Sequence, residues 1–175
     1  MILKIKHNLD GSRVYDLQPS IKVIYNDGGR SKYFNKKNVG DCVARAIAIA
    51  SNKDYKEVHQ VLAEGNARQK VTLRMRRSKK SMIKANKVTA DLGISIKRKW
   101  FKDYMKSLGF TWTPTMFVGS GCKVHLRERE LPKGRIICQV SKHFVAVIDG
   151  VIHDTYDCSR NGTRCVYGYW AATNI

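Results

Sequence analysis

A chain of 175 residues, 43% hydrophobic and 27% charged, is large enough to bury a core as a single domain, 1–175, and too apolar to be a disordered tail. No apolar run approaches the roughly 20 residues of a membrane span, and MILKIKHNLDG has neither the apolar centre nor the small-residue cleavage site of a secretion signal. Lys and Arg number 33 against 14 acids, a formal net charge of +19, so the expected partners are nucleic acid, ribosomes or acidic protein surfaces, and no membrane.

Five cysteines (Cys42, Cys122, Cys138, Cys158 and Cys165) are odd in number and have no tight framework, which predicts reduced thiols and a cytoplasmic location. Along the chain, MILKIK, NLDGSRVYDL and IKVIYNDGG read as short strands joined by glycine-containing turns. Residues 41–51 predict a helix whose Ala and Ile residues surround the cylinder, so it is expected to be buried on most sides. A second helix starts at Asp54, with Tyr55, Val58, His59 and Leu62 at helical spacing, and is expected to stop near Gly65.

Residues 66–99 are a basic excursion with twelve Lys or Arg and no continuous apolar stripe, with a short helix expected around 80–91. Within it Arg68, Arg74, Arg76, Arg77, Lys79 and Lys80 are the candidate polyanion contacts. In KRKWFKDYMKSLGF, residues Trp100, Phe101, Tyr104, Met105 and Leu108 mark an amphipathic helix ending at Gly109, its aromatic stripe directed into the core. The last third reads as β structure: GRIICQV, a hairpin of HFVAVI and VIHDTY around Asp149-Gly150, and a final strand VYGYW. The expected fold class is α+β, with N-terminal helices packed on a C-terminal antiparallel β-sheet.

The hairpin fixes a side-chain pattern. With Asp149 and Gly150 as its loop, Ile148 pairs with Val151, Val145 with Asp154, and His143 faces Tyr156. His143, Val145 and Val147 then share a face with Ile152, Asp154 and Tyr156, while His153 and Asp157 point the other way. Asp154 is the acid within diagonal reach of His143. Cys42 opens the 41–51 helix, where unpaired backbone N–H groups and a neighbouring imidazolium both favour a thiolate. Cys42 as nucleophile, His143 as base and Asp154 as its orienting acid form a candidate catalytic set.

Those residues carry a resemblance. GDCVARAIA is similar to the Gly/Asn-Cys-apolar-aromatic-Arg-Ala signature of ovarian-tumour-type deubiquitinases, and KHFVAV to their His-aromatic segment, within the papain-like cysteine peptidase superfamily. The resemblance implies a papain-like domain that cleaves a peptide or isopeptide bond through a Cys42 thioester, with a protein substrate and no cofactor. Lys36 stands where papain carries its oxyanion-hole glutamine, which leaves Asn38 as the nearest candidate amide for that role. The tail from KVHLRERELP to RCVYGYW also resembles small bacteriophage proteins, which implies action in a host cytoplasm.

Two other readings stay beside this one. The same charge fits a non-catalytic host-directed binder of nucleic acid or ribosomes on a papain-like scaffold. Cys122, His125, Cys158 and Cys165 would supply a Cys3His zinc set, yet there is no CxxC and six residues separate the last pair, so no metal is expected there. GSGC at 119–122 lacks the spacing and Lys-Ser/Thr of a phosphate-binding loop.

Overall fold

The computed structural model describes residues 2–7, 13–18, 21–35, 40–68, 88–91 and 94–173. Among the described residues there are eight strands: β1 (Ile2–His7), β2 (Arg13–Gln18), β3 (Lys22–Tyr25), β4 (Phe110–Pro114), β5 (Arg135–Val140), β6 (His143–Ile148), β7 (Val151–Asp154) and β8 (Val166–Ala172). Three α-helices accompany them among the described residues: α1 (Cys42–Ser51), α2 (Tyr55–Arg68) and α3 (Lys99–Ser107). β1 and β2 form an antiparallel hairpin; the others form a six-stranded sheet in the order β3-β7-β6-β5-β8-β4. The chain is thus α+β, with helices from its first two thirds packed on a sheet drawn mainly from its last third.

The sheet is mixed rather than purely antiparallel. β3, from the first half of the chain, pairs in parallel with β7, from Lys22↔Val151 to Tyr25↔Asp154. Parallel neighbours require a long crossover, and here it consists of the whole chain between Tyr25 and Val151, helices included. No local pattern in IKVIY announces such a partner. β4 was not anticipated either: it is short, ends in Pro114, and pairs only with β8 at the sheet edge, where a proline is tolerated.

Side-chain alternation divides the interior into two layers. On one face Ile137, Phe144, Ala146 and Trp170 meet α1, Tyr55, Val58 and Leu62 of α2, and Phe101 and Met105 of α3. On the other, Ile136, Cys138, Val140, Val145, Val147 and Ile152 are covered by Ile21, Leu126, Leu131 and Cys158. α1 is the central post of the first layer, with every residue from Val43 to Ala50 buried. It ends at Asn52, whose left-handed backbone (φ 54°) lets its N–H reach back to the last turn.

α2 continues three residues beyond Gly65, to Arg68. Gly65 is a contact rather than a stop: a Cβ there would lie 2.4 Å from Cε3 of Trp100. One turn of helix is retained past it because Asn66 is buried and donates from Nδ2 to the carbonyl of Thr89 at 3.3 Å. The short helix expected over 80–91 falls mostly outside the described residues, and its described end, 88–91, is bend and turn.

Gly65→Ala tests this packing. In an exposed helix interior the change would stabilise by about 1 kcal/mol. Here the Trp100 ring must move, and a net loss of about 1–3 kcal/mol is expected from the shift in urea midpoint.

Candidate thiol active site

The register of the hairpin places the imidazole. Ala146↔His153, Val147↔Ile152 and Ile148↔Val151 pair across β6 and β7, and the loop residues Asp149 and Gly150 both have positive φ, 49° and 82°. This is the backbone that a two-residue primed turn needs to match strand twist. Carrying the alternation to the open end puts His143 and Asp154 on one face. His143 Nε2 lies 2.5 Å from Asp154 Oδ2, and Tyr156 lays its ring against His143 with centroids 5.3 Å apart.

Cys42, the first residue of α1, reaches the same imidazole from the helical layer. Burial opposes ionisation of its thiol. The hydrogen bond and charge of His143, the backbone N–H of Phe144 and the charge of Arg45 outweigh that and hold it below the ordinary thiol value. Burial likewise opposes a charged His143, but its bonds to Asp154, Cys158 and Cys42 dominate and raise it well above the usual imidazole range. The two shifts together favour a thiolate–imidazolium pair. Nε2 is engaged by Asp154, which leaves Nδ1 as the ring nitrogen not committed to the carboxylate, and the backbone N–H of Phe144 also bonds the Cys42 sulfur.

Gly40 lets the chain enter this helix. A Cβ on it would stand 2.7 Å from the carbonyl oxygen of Asp91, a backbone atom that cannot swing aside. The next residue, Asp41, occupies the N-cap position but makes no side-chain cap hydrogen bond. Its carboxylate turns inward: Oδ1 accepts from Arg45 Nε at 3.0 Å, and Oδ2 accepts from the Tyr55 hydroxyl at 2.7 Å and pairs with Arg30 Nε at 3.0 Å. Arg45 then extends Nη1 to Thr155 Oγ1 at 2.6 Å and to Asp154 Oδ1 at 3.3 Å. The second oxygen of the acid that holds His143 is therefore tied to the residue preceding Cys42. Asp41, Arg45 and Asp154 are 1%, 9% and 4% exposed, so the chain of charges is buried along its whole length.

Sequence reasoning did not select Asp41, Arg45, Tyr55 or Thr155. Only the four-residue spacing of Asp41 and Arg45 was a visible signal, since residues so spaced meet on one helix side. Cys158 was also missed in this place: it is 1% exposed and lies against His143. Asn38, Arg74, Arg76, Arg77, Lys79 and Lys80 lie outside the described residues. Arg68 is exposed at the end of α2 and pairs with Glu64 at 3.4 Å.

The expectation of five reduced thiols is corrected. Cys122 and Cys165 form a disulfide, with Cα atoms 5.8 Å apart and 43 residues between them in sequence. An isolated antiparallel bridge between His125 and Cys165 brings the two segments together, a tertiary event that cysteine spacing does not reveal. The Cys3His set is thereby dispersed: two of its thiols bond each other, His125 Nδ1 lies 3.0 Å from Glu130 Oε2, and Cys158 belongs with His143. A groove of about 500 Å³ along the C-terminal half of α1, lined by Lys32, Lys53, Arg135 and His153 among others, includes none of Cys42, His143 and Asp154.

A scan against protein-family models and searches of curated proteins and of solved structures return no match to this chain. Any functional reading therefore rests on the residues and their geometry.

Two measurements follow from that geometry. Without reductant, the denatured protein should titrate three thiols, the free Cys42, Cys138 and Cys158, and all five cysteines after reduction. Arg45→Met would remove the cation that Asp41 and Asp154 share, leaving Arg30 alone on the first and His143 alone on the second, and should lower unfolding stability by about 3–5 kcal/mol, with Arg45→Lys recovering part of the loss.

Proposed function

We propose that the chain is a papain-like cysteine hydrolase, of the kind that bacteriophages would deploy in a host cytoplasm, which cleaves a peptide or isopeptide bond through a thioester at Cys42. The observation that carries this reading is the contact of Cys42 with His143 and of His143 with Asp154, together with the depressed thiol and elevated imidazole that result. A buried imidazole between a thiol and a carboxylate is expensive as mere packing and useful as a proton carrier.

In this mechanism the Cys42 thiolate attacks the substrate carbonyl carbon, and its electron pair moves onto oxygen. The N–H groups of the first turn of α1 have no partner within the helix and can stabilise that oxyanion, with the Asn38 amide as the proposed second donor. His143 Nδ1 delivers its proton to the leaving amine as the carbon–nitrogen bond breaks. The imidazole, now neutral, takes a proton from water, which attacks the thioester and releases the acid and the Cys42 thiolate. Asp154 holds the imidazole orientation throughout and balances its charge. Arg68, Arg74, Arg76, Arg77, Lys79 and Lys80 are proposed to draw in an acidic target.

Alkylation kinetics test the site before any substrate is known. An ordinary thiol loses reactivity about tenfold for each pH unit below its pKa near 8.5. Because the Cys42 pKa is lowered, its thiolate persists further as pH falls, and the iodoacetamide rate should drop less than about tenfold per unit between pH 8 and 6. His143→Ala should restore the steep fall, and Cys42→Ala should abolish fast labelling. A wild-type profile as steep as that of free cysteine would reject the proposal.

The net charge of +19 favours a second reading, a non-catalytic binder of nucleic acid or ribosomes. Counterion release would then make its affinity fall steeply with salt. Under that reading, charge reversal at Arg74, Arg76, Arg77, Lys79 and Lys80 removes function while Cys42→Ala preserves it. The hydrolase reading requires Cys42→Ala to be inactive.

A further inference from the structure

Cys158 has no part in that mechanism, yet it occupies a place where an inert side chain would serve for packing alone. Its sulfur, a ring nitrogen of His143 and a carboxylate oxygen of Asp154 all lie within 4.8 Å of one another, and all three residues are buried. The donors come from two elements and a loop: the start of β6, the end of β7, and the turn after β7. Cys42 is outside this group.

The geometry points to a zinc-class metal site made by Cys158, His143 Nε2 and Asp154, in which a thiophilic dication replaces the proton shared between the imidazole and the carboxylate. A thiolate, an imidazole and a carboxylate are a donor set for zinc, cobalt or cadmium, and a poor one for magnesium or calcium, which prefer oxygen alone. Two anionic ligands neutralise the dication, so the complex carries no net charge into a buried place. Arg45 and the backbone N–H of Thr155, both on Asp154 Oδ1, supply the outer contacts that hold a ligating carboxylate in position. Three protein ligands leave the fourth position to a water or an anion.

The metal-free distances require a small opening. Tetrahedral ligands at about 2.0–2.1 Å sit roughly 3.3 Å apart, so the 2.5 Å separation of Nε2 and Oδ2 must widen on binding. Binding releases the thiol proton of Cys158 and the Nε2 proton. A dication at Nε2 also fixes the ring and withdraws Asp154, so His143 no longer cycles a proton. The metal form is therefore a blocked form of the proposed hydrolase, a consequence that rests on the catalytic reading; the metal site itself does not.

Cobalt tests it without a substrate. Reductant-treated, chelator-stripped protein titrated with Co²⁺ should show a thiolate-to-cobalt charge-transfer band saturating at one metal per chain. The zinc form should give X-ray absorption with one sulfur at about 2.3 Å and otherwise lighter ligands. Cys158→Ala, checked for folding by near-ultraviolet circular dichroism, should lose the band, whereas Cys42→Ala should keep it. No band, a band that survives Cys158→Ala, or a shell of two or more sulfurs would overturn the assignment; the wild-type absorption result stands even if the variant does not fold. Since the alkylation profile is recorded on metal-free protein, failure of the metal site leaves the hydrolase reading untouched, and the converse also holds.

Discussion

Arg45 is the interaction on which the arrangement depends. Its guanidinium lies between two buried carboxylates, one on the residue before Cys42 and one on the last residue of β7. A buried ion pair adds little net stability, because its desolvation cancels much of its attraction, but a missing partner leaves an expensive uncompensated charge. Such a device is better at specifying position than at adding stability. It fixes the helix start against the hairpin end, and the relation of Cys42 to His143 follows from that.

The same constraint explains why Asp41 neglects its helix cap. A capping carboxylate is worth about 1 kcal/mol, whereas two donors, from Arg45 and Tyr55, and the charge of Arg30 compete for it here. Burial and the Asp41 bond push Tyr55 to a pKa well above that of a free phenol, so it remains a donor at any physiological pH. α1 thus begins without a side-chain cap, and Asp41 takes none of its first N–H groups. Local helix stability is surrendered where the proposed chemistry needs those groups.

How much of this was legible depends on the range of the interactions involved. The burial of α1, the stripe of α3 and the β6–β7 register were readable because each is encoded in a periodicity or a turn within a dozen residues. The parity of Asp149-Gly150 alone selected Asp154 over Asp157 as the neighbour of His143. What escaped was long-range: the parallel partner of β3, the Cys122–Cys165 disulfide, and the place of Cys158. Gly65 misled in a different way, because a glycine that ends a helix and one that makes room for Trp100 look the same in sequence. Arg45 could be read as an arginine at helical spacing from Asp41, but its reach to Asp154 spans 109 residues.

The hairpin that joins His143 and Asp154 also orders the assembly of the site in time. Their contact closes over only 11 residues and needs little more than β6 and β7, and such hairpins form within about 1–10 μs. The contact that ties α1 to them closes over 109 residues, and long loops of that kind form late. The imidazole–carboxylate unit can therefore exist before the sulfur arrives. A chain still emerging or collapsing carries an ordinary cysteine, and the activated thiol is a property of the finished fold alone.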